Sequence, residues 1–297
     1  MAALSASRRA ALKAGLDRFL ASGSQGLAVL YSTQPTWPAT SASTSSAGPL
    51  EIGVLDSSFN PPTLAHRDIA LGPPLLTNAN AYDAHLLLFS CRNADKGTGR
   101  KGDASPLQRI EMMELLAREM EQVLREKGPA SREPAVAVGI CEPPLMFTKS
   151  TLCHNHFRSL PSPPQVRLHW QAGMDTLERF FALRYYPSRE SFESSAHQFF
   201  KEERTTFVAA ARHQESLPGK TMESDSHEEL LESELVKPWV DEGSVAVWEL
   251  PDGVAQCSST TVRQLCQNHS GEELRQQLQA KVPPSIASNL VQENIYQ

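Results

Sequence analysis

A hydroxyl and an imidazole three residues apart at the start of a helix can address one phosphate, and Thr63 and His66 stand in that relation. They close the segment Asp56-Ser57-Ser58-Phe59-Asn60-Pro61-Pro62-Thr63-Leu64-Ala65-His66, which follows an apolar run and opens a helical pattern. Two successive prolines are tolerated where a helix begins, because first-turn N–H groups have no intrahelical partner anyway. A turn that leaves a strand's carboxyl end and enters a helix presents free N–H groups and the positive end of the helix dipole to an anion. A proline-rich turn with a locally satisfied histidine has the same spacing, so on spacing alone the two readings are even.

A second cradle lies near the other end of the chain, in Ser258-Ser259-Thr260-Thr261-Val262-Arg263. Ser258 can cap a helix, Ser259 and Thr260 add hydroxyls beside its free N–H groups, and Arg263 follows Ser259 by one turn on the same face. A guanidinium there suits forked phosphate contacts; a capped surface helix with a solvated arginine is the plainer reading. Gly173-Met174-Asp175 ends another apolar run, where a carboxylate can accept from ribose hydroxyls or simply cap a helix. The basic loop from Lys96 to Lys101 follows a strand and offers a cation, with Lys101 preferred over Lys96. Arg109 either orients phosphate or pairs with Glu111 or Glu114. His154 and His156, two apart on a helix, diverge around its axis and do not chelate together. No G-x-S-x-G elbow occurs, so a hydrolase triad has no support.

These groups need a scaffold that collects strand ends. Short apolar runs at 50–56, 84–90, 135–140, 166–172, 206–211 and 244–249 alternate with helical patterns. The clearest helix is 105–127: Ser105 and Gln108 form a capping box, Pro106 takes the first helical position, and Leu107, Ile110, Met113, Leu116, Met120 and Leu124 make one stripe. The expected fold is α/β, Rossmann-like and doubly wound, with a mainly parallel sheet of about six strands, helices on both faces and ligands at the strands' carboxyl ends. In Val166, Leu168 and Trp170 the alternation makes Trp170 core rather than a stacking platform. Residues 1–49 read as a helix, with Leu12, Leu16, Phe19 and Leu20 at helical spacing, and then a Ser/Thr/Pro-rich loop over 34–49. Residues 50–297 read as a single domain with an acidic insertion around 213–236, including a helix at 227–236.

The 297 residues carry a net charge of −6, and the stretch from Glu215 to Glu234, with seven acids and Lys220 as the one base, accounts for it. A nucleic-acid binder needs a basic footprint and is not expected. Five cysteines without a C-x-x-C pair exclude a disulfide framework or zinc ribbon and fit a reducing compartment. No run is long and apolar enough for a membrane span, and the Arg-containing N-terminus is read as an amphipathic helix rather than a transit peptide.

Four segments, in order, carry a resemblance. The stretch Asp56–His66 is similar to the S-F-N-P-x-T/H-x-x-H signature of the nucleotidylyltransferase superfamily, and its L-D-S-S-F-N-P-P form resembles the fungal branch of nicotinamide mononucleotide adenylyltransferases. Gly173 to Phe180 resembles that family's G-x-D-x-L-x-x-F, Ser258 to Arg263 its S-S-T-x-hydrophobic-R, and Val282-Pro283-Pro284 with Ile286, Val291, Ile295 and Tyr296 its closing helix. The match spans most of 50–297 but not 1–49 or 184–242. Many superfamily members have Gly where Ser57 stands, and a Cβ there restricts positive φ.

The resemblance implies transfer of the adenylyl group of ATP to the 5′-phosphate of nicotinamide mononucleotide. His66 would act on the phosphates. Ser57, Ser58, Phe59, Thr63, Lys101, Ser259, Thr260 and Arg263 would hold ATP, and Gly173 and Asp175 the ribose or base. Mg2+ would ride on the ATP phosphates. It also implies a cytoplasmic or nuclear rather than mitochondrial protein. Two rivals are the same chemistry on another acceptor, nicotinate mononucleotide or phosphopantetheine, and a non-catalytic nucleotide-binding protein that docks a protein partner through 215–234.

Overall fold

The apolar run LEIGVLD forms β2 (Leu50–Asp56), the strand on which the rest of the sheet is ordered. All its residues but Asp56 are buried, as a parallel strand covered on both faces requires. The computed structural model describes residues 4–23, 26–38, 48–91, 102–127, 133–212 and 223–297. Beside β2 lie β3 (Ala84–Ser90), β4 (Val136–Cys141), β5 (Val166–Gly173), β6 (Thr206–Ala211) and β7 (Val245–Glu249), all parallel to it. A further strand, β1 (Ala28–Ser32), pairs antiparallel with the outer side of β4, and the order is β1-β4-β3-β2-β5-β6-β7. The chain winds outward from β2 in one direction through β4, then restarts at β5 on the other side. The reversal between β2 and β5 is where such sheets open a ligand crevice.

Helices cover both faces. On one face sit α1 (Ala6–Ala21), α2 (Leu64–Ala70) and α3 (Pro106–Lys127), packed on Leu55, Leu87, Phe89 and Val138. On the other sit α4 (Met146–Arg158), α5 (Met174–Phe181), α6 (Arg189–His197) with a π-turn at Gln198–Glu202, α7 (Glu223–Leu231) and α8 (Lys237–Asp241), with Trp170 fully buried beneath them. The chain returns to the first face with α9 (Asp252–Ala255), α10 (Ser259–Asn268), α11 (Gly271–Leu278) and α12 (Pro284–Gln292). The doubly wound expectation is met, and Trp170 is core.

Three details differ from the sequence reading. The sheet has seven strands, because Ala28–Ser32 lies in the segment expected to hold only a helix and a loop. With only five residues it shows no period-2 alternation, all five being half-buried on a sheet edge. Leu20, placed on the apolar stripe of α1, is 52% exposed, whereas Leu12, Leu16 and Phe19 are buried. The acidic helix is Glu223–Leu231, not 227–236; the next five residues turn to bring Val236 into the core. By contrast the capping box of α3 forms as read, with Ser105 N–H donating to Gln108 Oε1 (2.8 Å) and Gln108 N–H to Ser105 Oγ (3.2 Å).

The N-terminal helix is tied to the body by charge as well as packing. Glu114, fully buried on α3, accepts from Arg8 Nε (2.7 Å) and Arg118 Nη2 (2.6 Å), and both guanidinium groups lie over the Tyr31 ring. A buried carboxylate stripped of partners costs 3–5 kcal/mol, and Arg118 remains when Arg8 is removed. Arg8→Ala is therefore expected to destabilise the fold by about 2 kcal/mol in urea denaturation, with Arg8→Ala/Arg118→Ala losing more than the sum of the two single changes.

Candidate active site

The turn from β2 into α2 carries the first predicted cradle. Ser57 N–H still donates to Leu88 O of the neighbouring strand (3.2 Å), and the chain then leaves the sheet. The left-handed conformation is at Phe59 (φ 46°) and not at Ser57, so the Cβ of Ser57 is no obstacle to this turn. Phe59 is buried, with its ring 5.7 Å from that of His66, and burial holds it in the strained conformation. Among the described residues, the N–H groups of Ser58 and Phe59 meet no acceptor. They are the unpartnered donors that an anion at this turn would use.

Asn60 holds the turn in shape. Its Nδ2 donates to Asp103 Oδ1 (2.7 Å), and its Oδ1 accepts from Ala104 N–H (3.0 Å) and the Tyr296 hydroxyl (2.8 Å). Its backbone carbonyl accepts from Arg263 Nη1 (2.6 Å). This residue, inside the motif yet given no role by the sequence reading, joins the start of α3, α10 and the C-terminus. An Asn between a strained turn residue and proline is the signal that would have found it.

His66 is oriented by the cap of its own helix. Thr63 N–H donates to His66 Nδ1 (3.1 Å), so that nitrogen is the acceptor and the ring proton sits on Nε2, 3.0 Å from Ser57 Oγ. The Thr63 hydroxyl, wholly buried, lies 2.9 Å from the same Nδ1 and 3.3 Å from Cys257 O. Burial pushes the His66 pKa down to about 4; the positive charge of Arg212 adds to this and the Asp175 carboxylate opposes it. At neutral pH the ring is thus an uncharged donor through Nε2–H toward Ser57.

The second cradle meets the first. Ser258 caps α10, its Oγ accepting from Thr261 N–H (3.1 Å) as read. Ser259 Oγ donates to Pro61 O (2.7 Å), and Arg263 Nη2 donates to Thr260 Oγ1 (3.1 Å). Two segments about two hundred residues apart in sequence thus form one wall.

Gly173 ends β5 and itself caps α5, so Asp175 is not the cap but a first-turn residue with an exposed side chain near Arg179 (3.8 Å). The φ of Gly173 is ordinary (−79°); its use is space, since a Cβ there would come 2.8 Å from Asp175 Oδ1. Lys96 and Lys101 lie outside the described residues. Arg109 pairs with neither Glu111 nor Glu114: its Nη2 bonds Asp103 Oδ2 (3.1 Å), its Nε Ala104 O (2.9 Å) and its Nη1 Ser58 O (3.3 Å). It faces the turn because residues 103–104 fold back over the start of α3. His154 reaches Thr205 Oγ1 (3.2 Å) in a buried cluster, and it does not converge with His156 on a common ligand. Arg212, immediately after β6, had no place in the sequence reading, although its position at a strand's carboxyl end is the signal that singled out Gly173.

Fold and site together define a Rossmann-like α/β protein with a phosphate-sized cradle at the carboxyl end of its sheet. The chain is 34% identical, over 138 residues, to a Schizosaccharomyces pombe protein named "Putative nicotinamide mononucleotide adenylyltransferase". That match spans 46% of this chain and 45% of the relative, so less than half of each is compared. Among solved structures, the Plasmodium falciparum nicotinic acid mononucleotide adenylyltransferase complexed with NaAD shares the fold, with a TM-score of 0.50 at 12% identity over 83% of this chain and 97% of that one. No protein-family model matches. The Rossmann-like fold expected from the sequence is thereby supported.

Two outcomes test the geometry. The His66 ring is expected to titrate near pH 4 with its proton on Nε2, read by nitrogen NMR of the imidazole. Its folded pKa lies below that of a free histidine, so the unfolded chain takes up the proton first; stability present above about pH 6.5 drains away as pH falls toward 4, and His66→Asn removes that share. Asn60→Ala removes the bonds to Asp103 Oδ1, Ala104 N–H and the Tyr296 hydroxyl and is expected to cost about 3 kcal/mol in urea unfolding.

Proposed function

We propose that the chain is an adenylyltransferase of NAD synthesis, joining the 5′-phosphate of nicotinamide mononucleotide to the adenylyl group of ATP. The observation that carries this reading is the single wall formed by Ser57, His66 and the first turn of α10, with unpartnered N–H donors at Ser58 and Phe59. The relative named for nicotinamide mononucleotide and the fold neighbour named for nicotinic acid mononucleotide both support an adenylyltransferase on a pyridine mononucleotide.

A phosphate oxygen of the acceptor attacks the α-phosphorus of ATP; a new P–O–P bond forms, the α–β bridge breaks, and its electrons leave with pyrophosphate. The nucleophile is already anionic near neutral pH, so the site needs no strong base. Catalysis reduces to positioning and to stabilising the charge that gathers on the phosphates. Neutral His66 supplies the Nε2–H donor; being uncharged, it gives no proton away as the leaving group departs. The N–H groups of Ser58 and Phe59 bind phosphate oxygens, Thr63 fixes the imidazole, and Thr260, Arg263, Lys101 and Arg212 grip the departing end. Ser259 joins them by turning its hydroxyl from Pro61 O. Gly173 and Asp175 face the ribose.

Among the described residues no three His, Cys, Asp or Glu side chains converge on a common point. Mg2+ would arrive on the nucleotide's own phosphates, where it would neutralise their charge. On this reading the acidic stretch 215–234 is dispensable for turnover, which separates it from the docking alternative.

The test is NAD formation from nicotinamide mononucleotide, ATP and magnesium, read through a coupled dehydrogenase. His66→Ala is expected to lower kcat by about 100- to 1000-fold with ATP affinity largely kept. A wild-type chain that binds ATP yet makes no dinucleotide from either pyridine mononucleotide would overturn the proposal.

A further inference from the structure

At His66 the wall described above faces the β5–β6 side of β2, where Asp175 and Arg212 bear on the ring. On the other side the carboxyl ends of β3 and β4 face the same crevice, and a charged pair sits there. Asp56, the last residue of β2, stands directly before Ser57, one residue from the histidine contact. Its Oδ2 meets Lys149 Nζ of α4 at 2.5 Å, with side chains 13% and 5% exposed. The pair ties the end of β2 to α4, on the face of the sheet opposite α2 and α3. The turn that leads into α4 is tied to the end of β3, where the Ser90 hydroxyl shares its proton between the carbonyls of Glu142 and Pro143 (3.0 and 2.9 Å). Among the described residues Asp56 Oδ1 has no hydrogen-bond partner.

We infer that the Asp56–Lys149 pair selects the acceptor by its pyridine substituent, favouring a neutral carboxamide over a carboxylate. This rests on the adenylyltransferase reading. With His66, Asp175 and Arg212 gathered toward β5 and β6, the acceptor's base falls over β3 and β4, beside this charged pair. A carboxylate only accepts hydrogen bonds, and a carboxamide NH2 has two to give, so Asp56 Oδ1 welcomes nicotinamide and repels nicotinate. The Lys149 ammonium would hold nicotinate, but it is already committed to Asp56. Charge–charge contacts in a part-buried site are screened little, so the discrimination is not confined to low salt.

The experiment is calorimetric titration of the full chain with each mononucleotide separately, together with turnover ratios, for wild type, Asp56→Asn and Asp56→Asn/Lys149→Met. Wild type is expected to prefer the nicotinamide form. Asp56→Asn frees the ammonium and moves the affinity ratio toward nicotinate by about 10- to 100-fold. The double variant, which carries neither charge, loses that gain for nicotinate. ATP titration of each preparation checks that the phosphate wall is intact, and the double variant keeps the test open if the unpaired lysine prevents folding. Turnover by wild type with a ratio that neither variant moves would overturn the inference and leave the adenylyltransferase reading standing. Binding of neither mononucleotide by a wild type that still binds ATP would overturn both.

Discussion

The buried carboxamide of Asn60 is the interaction on which the site depends. A turn whose N–H groups at Ser58 and Phe59 meet no acceptor among the described residues does not hold itself, so its shape is imposed from outside. Asn60 does this through contacts with residues 103–104, α10 and the C-terminus, while Asp103, which accepts from it, also holds Arg109, whose guanidinium returns to Ser58 O. The contacts close a ring around the turn. Each bond is worth only about 1 kcal/mol net, but a buried group left unpaired costs about 1–3 kcal/mol, so loss of one member is felt by all. Phe59 can keep its left-handed φ because the residues on either side of it are held this way.

The same constraint explains how charge is arranged around the crevice. Lys149 is tied to Asp56 and Arg109 to Asp103, while Arg212 bears on His66. Burial and that positive charge keep the imidazole neutral, so at neutral pH it offers an N–H donor and holds no extra proton to give up. A histidine that charged at neutral pH would need a carboxylate partner, and the exposed Asp175 is too weak a counterweight to burial.

The layered sheet was legible because its signals are local and periodic. Central strands read as short apolar runs, and α3 declared itself through Ser105, Pro106 and Gln108. Thr63, His66 and the Ser258 cap were legible because capping chemistry acts within three residues. What escaped depends on distant partners. Arg109 was read as orienting phosphate or pairing on its own helix, but residues 103–104 fold over it, and no spacing rule reports that. Arg212 and Lys149 acquire meaning only once β6 and α4 are placed against β2. β1 escaped because five half-buried edge residues lack both the continuous apolar run of a central strand and clean alternation.

One expected role changes in kind once the bonds are counted. Ser259 and Arg263 were both read as phosphate ligands, yet both donate to backbone carbonyls of the turn, at Pro61 and Asn60. A hydroxyl has a single proton, so Ser259 can donate to a phosphate only by releasing Pro61 O. A guanidinium has five N–H donors in a fixed plane, so Arg263 can hold Asn60 O and Thr260 Oγ1 and still present others to an anion. Arg263 therefore ties the two cradles together and keeps further N–H groups for an anion, without rearrangement. Lysine could not replace it, since a single ammonium cannot reach along both edges of that plane. The arginine in this motif is demanded by geometry rather than by charge alone.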